Sequence, residues 1–248
     1  MRRRTAAGVP LVLLALSFAG GGCVTREAER IAERRVNALL PHYLGPADRY
    51  ETRVRDTASG LLRGRMRHVH VEGRRVRVSD DLTLDNLTLD LANVSVDTKA
   101  KRLKSIEAIA FTATLGEAGA NRYLRARRAD LPELSVRFRP GEATVRARPE
   151  FAGVSLPIPL VVRGTLTPRP GGAQLDFTPS GAQVSVVPIP GGVVRFAAER
   201  LNPLVDLGVL KLPVRVEAVE VREGTLFLRG TVDPADLLRA ANAYAVPP

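Results

Sequence analysis

His68 and His70 stand two residues apart in RMRHVHVEGRR, so on a strand they would leave the same face and could chelate a metal ion together. No third donor of suitable type lies near them in sequence. Arg65, Arg67, Arg74 and Arg75 surround them with positive charge, so no metal is expected here, and the pair reads as part of a solvated basic strand face. The third histidine is His42. Serines and carboxylates are present, but there is no G-x-S-x-G elbow, G-x-G-x-x-G loop, P-loop or H-E-x-x-H pair. Asp80, Asp81 and Asp85 fall at turns, where such side chains satisfy backbone N–H groups. The chain therefore reads as a non-enzyme that needs no cofactor.

Cys23 is the only cysteine, so no intramolecular disulfide can form. Its setting points to a different chemistry. Arg2, Arg3 and Arg4 precede an apolar run from Val9 to Phe18, and Ala19, Gly20, Gly21 and Gly22 lead into Cys23. The run is shorter than the roughly 20 residues a membrane-spanning helix needs and has the layout of an export signal. AGGGC resembles a lipoprotein lipobox with Cys23 as the acylated residue, although Gly20 stands where Leu is usual. Ordinary cleavage after Ala19, with Ser17 and Ala19 as the small residues, is the alternative. The expected organisation is a signal over 1–22, one domain over 23–235 that includes a helix over 25–41, and a tail over 236–248. The expected address is the cell envelope, with the protein anchored by lipid and facing the periplasm or the exterior. Val24 does not carry the usual inner-membrane retention signal, which favours an outer membrane in a two-membrane cell.

The formal net charge is +11, carried mostly by arginine. An exported basic protein meets anionic lipid head groups more often than nucleic acid. No nucleic-acid motif occurs, and stacking residues are scarce, with aromatics at 4% and no Trp. A GC-rich genome is an equally good source of the arginine excess.

The elements follow from periodicity. Leu82, Leu84, Leu87, Leu89, Leu91, Val94 and Val96 alternate with polar residues in LTLDNLTLDLANVSV, the pattern of a strand with one apolar face. The phase slips at Asp85-Asn86 and at Ala92-Asn93, each read as one inserted residue, a bulge or tight turn that bends the strand. Thr25 to Leu40 has helical spacing and is expected to stop at Pro41. Gly64 to Val78 reads as two basic strands joined at Glu72-Gly73. Ile109, Phe111, Ala113 and Leu115 make another strand, and residues 116–128 a short helix with Ala120, Tyr123 and Leu124 inward. Leu134, Val136 and Phe138 pair through Pro140-Gly141 with Ala143, Val145 and Ala147. Leu156, Ile158 and Leu160 share a face with Pro157 and Pro159 on the other, which reads as an edge strand. A second amphipathic helix is expected over 193–204. Val214 to Leu228 reads as a hairpin with one slip, followed by a weak tail. Hairpin turns dominate and βαβ crossovers are missing, so the class is α+β with an antiparallel sheet.

Four stretches in this order, LLRGRMRHVHVEGRRVRV (61–78), LTLDNLTLDLANVSVD (82–97), SIEAIAFTATLGEAGANRYL (105–124) and LKLPVRVEAVEVREGTLFLRG (210–230), resemble the LmeA family of phospholipid-binding envelope proteins. The resemblance covers most of residues 26–232. It implies a tubular lipid-binding fold, a strongly curved antiparallel sheet wrapped on helices like half of bactericidal/permeability-increasing protein, with phospholipid as the ligand and no enzyme activity.

One-sided apolar strands exceed the helical surface available to cover them, which points to a lipid groove. Its expected lining is Leu82, Leu84, Leu87, Leu89, Leu91 and Val94 from the central run, Ile109 and Phe111 beside it, Val136 and Phe138, and Leu156, Ile158 and Leu160. Arg65, Arg67, Arg74, Arg75, Arg122 and Arg125 are expected at the head-group and membrane rim. The expected partners are a phospholipid and a membrane surface reached through the N-terminal anchor. No nucleic acid is expected, and no protein partner is indicated. Two rivals remain: a structural or adaptor lipoprotein with the same fold and a closed core, and a hydrolase, for which no catalytic constellation is found.

Overall fold

The structure is a computed structural model that describes residues 21–97, 102–128, 131, 133–148, 150–151, 154–155, 159–184, 187–188, 202–208 and 213–243. In chain order its elements begin α1 (Gly21–Leu44), β1 (Arg49–Arg55), α2 (Ala58–Leu62), β2 (Arg65–Arg77), β3 (Thr83–Asp97), β4 (Arg102–Ser105) and β5 (Ala108–Gly116). They continue α3 (Glu117–Arg127), β6 (Ser135–Arg139), β7 (Glu142–Ala147), β8 (Glu150–Phe151), β9 (Val154–Ser155), β10 (Leu160–Pro168) and β11 (Gln174–Val184). The last are β12 (Val187–Pro188), β13 (Val205–Asp206), β14 (Val214–Arg222), β15 (Thr225–Val232) and α4 (Pro234–Ala243).

The architecture is α+β and mostly antiparallel. A seven-stranded sheet runs β1-β2-β3-β5-β15-β14, with β4 paired to the far end of β3, and curls into a half-barrel. A six-stranded sheet runs β12-β11-β10-β7-β6, with β13 on β11, and β8 and β9 form a separate hairpin. The sheets are stitched along β14. Gly141 N donates to Val221 O (2.9 Å), Val216 N to Gly172 O (2.8 Å), and Gly224 N to Phe138 O (3.1 Å). Two turns of the smaller sheet, at Gly141 and Gly172, thus hold the edge strand β14, and the β14–β15 turn at Gly224 bonds back to β6.

The bends of the large sheet have a specific cause. The register between β2 and β3 is the same from Arg65↔Ser95 to Arg77↔Thr83, so neither slip in β3 inserts a residue relative to its partner. Both strands slip together. On β3 the inward-facing residues move from the buried Leu84 to the buried Leu87 and from the half-buried Leu91 to the buried Val94, and on β2 the buried residues move from Val76 to Val71 through Gly73 and from Val69 to Met66. Arg75 (φ +50) and Asn93 (φ +49) are in the left-handed region, one at each bend. A residue in that region breaks the alternation, and the paired strand follows it. Side chains close both bends. Asp85 Oδ2 accepts from Gly116 N (2.8 Å), and Asn93 donates to Glu107.

Several expected boundaries move. Glu72-Gly73 is no turn, because β2 is one strand of 13 residues. Gly73 is there for clearance, since a Cβ would lie 2.8 Å from the Tyr50 ring. Helix α1 is already helical at Gly21, the first described residue, so Thr25 is not its cap, and it continues through Pro41 to Leu44. A proline this close to the C-terminus removes one intrahelical donor, and the helix ends at Gly45, whose φ of +98 suits glycine. Strand β10, from Leu160, is interior, between β7 and β11, and Pro159 precedes its first residue and takes no place in its ladder, while residues 156–158 of the expected edge strand lie outside the described residues. The expected tail contains α4, capped by Asp233, whose Oδ1 accepts from Ala235 N at 2.8 Å. The helix expected over 193–204 lies outside the described residues up to 201, and residues 202–204 are not helical.

Candidate functional site

The inner face of the large sheet is a grid of apolar rows set by the register. One row runs Val71, Leu89, Phe111, Gly230, and the next runs Gly73, Leu87, Ala113, Leu228. Phe111 fits over Gly230, where a Cβ would meet its ring at 2.9 Å. Leu82, Leu84, Leu87, Leu89, Val94, Ile109 and Phe111 are all buried on this side, and Leu91 is half-buried. Val136, Phe138 and Leu160, from the smaller sheet, are buried in the same apolar cluster. Leu156 and Ile158 lie outside the described residues.

Helices seal the strand edges around this face. Glu33 of α1 accepts from Val54 N (3.1 Å), and Thr52 donates to Asn37 (2.6 Å), which covers the free edge of β1. On the other sheet, α3 lies along β6. Asn121 donates to Val136 O (3.0 Å) and accepts from Val136 N (2.7 Å), and Glu117 accepts from Phe138 N (2.7 Å). Edges closed in this way offer no ladder to a neighbouring chain.

The basic residues divide between two elements. Arg65, Arg67, Arg74 and Arg75 are exposed on β2, and Arg122 and Arg125 are exposed on α3, which packs on β6, β5 and β3. Arg75 reaches Asp48 (3.4 Å), whereas Arg65, Arg67 and Arg74 make no ion pair among the described residues. A polar cavity of about 760 Å³ opens between α1, β1, α2 and β2, lined by Arg53, Arg55, Arg67 and His68 with Glu29, Glu33 and Asp56. A second of about 460 Å³ lies at the junction of the sheets, against Leu166 and Val221.

The outer face of the large sheet holds the group that sequence reading left incomplete. His70 is directly across from Asp90 of β3, with Nδ1 2.7 Å from Asp90 Oδ1, while His68 Nε2 is 3.4 Å from the same oxygen. Glu72 Oε1 lies 3.1 Å from His70 Nε2. The hydrogen bond to Asp90 raises the His70 pKa above the ordinary imidazole value, partial burial opposes the rise, and Glu72 adds to it. Asp90 is twenty residues from His70 in sequence. The signal that could have found it is the hairpin register, which an unbroken pairing of β2 with β3 would have given.

Among the described residues no helix is long and apolar enough to cross a membrane. Cys23 lies within α1. A family model described as LmeA-like phospholipid-binding matches residues 24–231. No curated protein and no solved structure matches the chain.

Proposed function

The chain belongs to the LmeA-like phospholipid-binding family, and on that footing we propose that it is an exported envelope lipoprotein that holds phospholipid acyl chains against the inner face of its curled sheet. The observation that carries this reading is the unbroken apolar face of β2, β3, β5 and β15 inside the matched region. Each buried CH₂ of an acyl chain would contribute about 0.8 kcal/mol, so a face of this kind can hold a lipid without specific polar contacts. The arginines of β2 and α3 would meet the phosphate or the membrane surface. An acyl group on Cys23 would put the start of α1 at the bilayer with almost no tether. In this reading the domain is tubular, and its task is lipid binding or transfer in envelope maintenance.

A second reading, a structural or adaptor lipoprotein with a closed core, draws on the burial of Leu84, Leu87 and Leu89 within the apolar cluster. Native mass spectrometry of protein purified without detergent separates the two. Co-purifying phospholipid at about one molecule per chain is the expected result. A consistently empty, compact protein would establish the closed core instead.

A further inference from the structure

We propose that His68, His70 and Asp90 form a binding site for a divalent transition-metal ion, Zn²⁺ first among them, on the outer face of the large sheet. Their donor atoms all lie within 4.8 Å of one another. The set, two imidazoles and one carboxylate, is the borderline-soft combination that suits zinc, with a fourth position left for water. His68 and Asp90 are each 46% exposed at the side chain, so that position opens to solvent.

The backbone presents the donors in fixed positions. His70 and Asp90 are cross-strand neighbours in the middle of a continuous ladder. Val69, Val71 and Leu89, which alternate with them, are buried in the core and hold both strands in place. A tetrahedral zinc ion with ligands at about 2.0–2.2 Å needs its donor atoms roughly 3.3–3.5 Å apart. The 3.4 Å between His68 Nε2 and Asp90 Oδ1 already fits. The 2.7 Å between His70 Nδ1 and Asp90 Oδ1 is the length of a hydrogen bond. The ion takes the place of the proton between them, and a small rotation of the exposed carboxylate supplies the extra separation.

Glu72 provides a second, independent feature. Its carboxylate holds His70 Nε2 at 3.1 Å and so keeps Nδ1 turned toward Asp90 and His68. A carboxylate on the far nitrogen is the usual outer partner of a metal-bound histidine. Of the cations that sequence spacing suggested, Arg67 lines one cavity with His68, and β1 adds two more. Arg53 and Arg55 of β1 pair across from His70 and His68. Both also line the cavity that contains Glu29, Glu33 and Asp56, and those carboxylates offset their charge. The site lies on the opposite side of β2 and β3 from the apolar face, so it stands whether or not that face holds lipid.

The test is calorimetric titration of the full chain, made without a polyhistidine tag, with Zn²⁺, backed by elemental analysis after dialysis. One ion per chain is expected. Affinity should fall at least 10-fold in His68→Ala, His70→Ala and Asp90→Asn, fall 10- to 100-fold in Glu72→Gln, and stay unchanged in His42→Ala. X-ray absorption on the wild-type chain needs no variant to fold and should show two imidazoles on the zinc. No stoichiometric zinc, binding indifferent to loss of either His68 or His70, or a zinc ligated by sulfur or by oxygen alone would overturn the proposal.

Discussion

Asn121 and Val136 form a closed pair: the side-chain amide of one gives and takes a hydrogen bond with both backbone groups of the other, at 3.0 and 2.7 Å. The helix thereby takes the place of one more strand on β6. Asn202 repeats the arrangement on Phe177 of β11, at 2.7 and 3.0 Å. Val136 and Phe177 are both buried, so without these amides their backbone groups would have neither water nor a ladder partner.

Asn121→Ala should therefore destabilise the protein by about 1–3 kcal/mol, the cost of leaving a buried donor and acceptor unmade. Asn121→Asp keeps the acceptor and loses the donor, so it should fall between wild type and alanine. Urea unfolding with a common m-value measures the difference. Equal stability for all three chains would mean that water replaces the amide and that the clamp contributes nothing.

Strand alternation in β3, β5 and β15 is legible in the sequence because one face is buried and the side-chain period is two, and the three- and four-residue spacing of a helix likewise places Ala120, Tyr123 and Leu124 on the inner side of α3. The two phase slips of β3 look in the sequence like inserted residues, yet the β2 register is unbroken across both. Sequence shows a phase change in one strand and cannot show that β2 changes phase opposite it. Gly73 looks like a turn in the sequence because glycine gives the same signal for a turn and for a close approach, here to Tyr50. The helix after Asp233-Pro234 does have a sequence signal, a capping residue followed by proline at the first helical position, where a weak tail is expected. Asp90 escaped because its relation to His70 exists only through register.

Asp81 gives the pH dependence a sign. Arg127 donates to both oxygens of its carboxylate, and Ser79 donates a further bond at 2.6 Å. Arg127 first, and then Ser79, hold the Asp81 pKa below its ordinary value against the opposing effect of burial. A carboxyl whose folded pKa is lowered stabilises the fold above its unfolded value of about 4 and loses that contribution as pH falls through the lowered value. Asp81→Asn should accordingly be less stable than wild type at pH 7, with the gap closing below pH 4. A gap that stays constant down to pH 2 would mean that the Arg127 contact does not distinguish the charged form.

The proposed lipid anchor on Cys23 and the basic strand predict separable membrane behaviour. Cys23→Ser should move the protein out of the membrane fraction or leave it as uncleaved precursor, whereas a mature wild-type chain beginning at Gly20 with an unmodified Cys23 would rule out lipidation. Without the anchor, residual binding to vesicles should require anionic lipid and weaken with salt, each arginine contributing up to about 1 kcal/mol near the charged surface. Arg65, Arg67 and Arg74 are the residues to change, because none of them makes an ion pair among the described residues. Binding to neutral and anionic vesicles alike, unaffected by 0.5 M salt or by the triple Arg→Ala change, would place the contact elsewhere.

Leu89 decides between a lipid-lined face and a closed one. It is 8% exposed, flanked in its row by Val71 and Phe111. In a closed core Leu89→Trp is overpacking and costs typically about 1–3 kcal/mol, because neighbouring side chains are forced off their rotamers. Against acyl chains the added ring displaces ligand atoms instead, and the protein without lipid need not be strained. The paired measurement is thermal unfolding of delipidated protein and uptake of a fluorescent phospholipid. The lipid-binding function predicts near-unchanged unfolding with strongly reduced uptake. A large drop in unfolding temperature, with uptake per folded molecule unchanged, would mean that Leu89 packs against protein and that the acyl chains bind somewhere other than the row it shares with Val71 and Phe111.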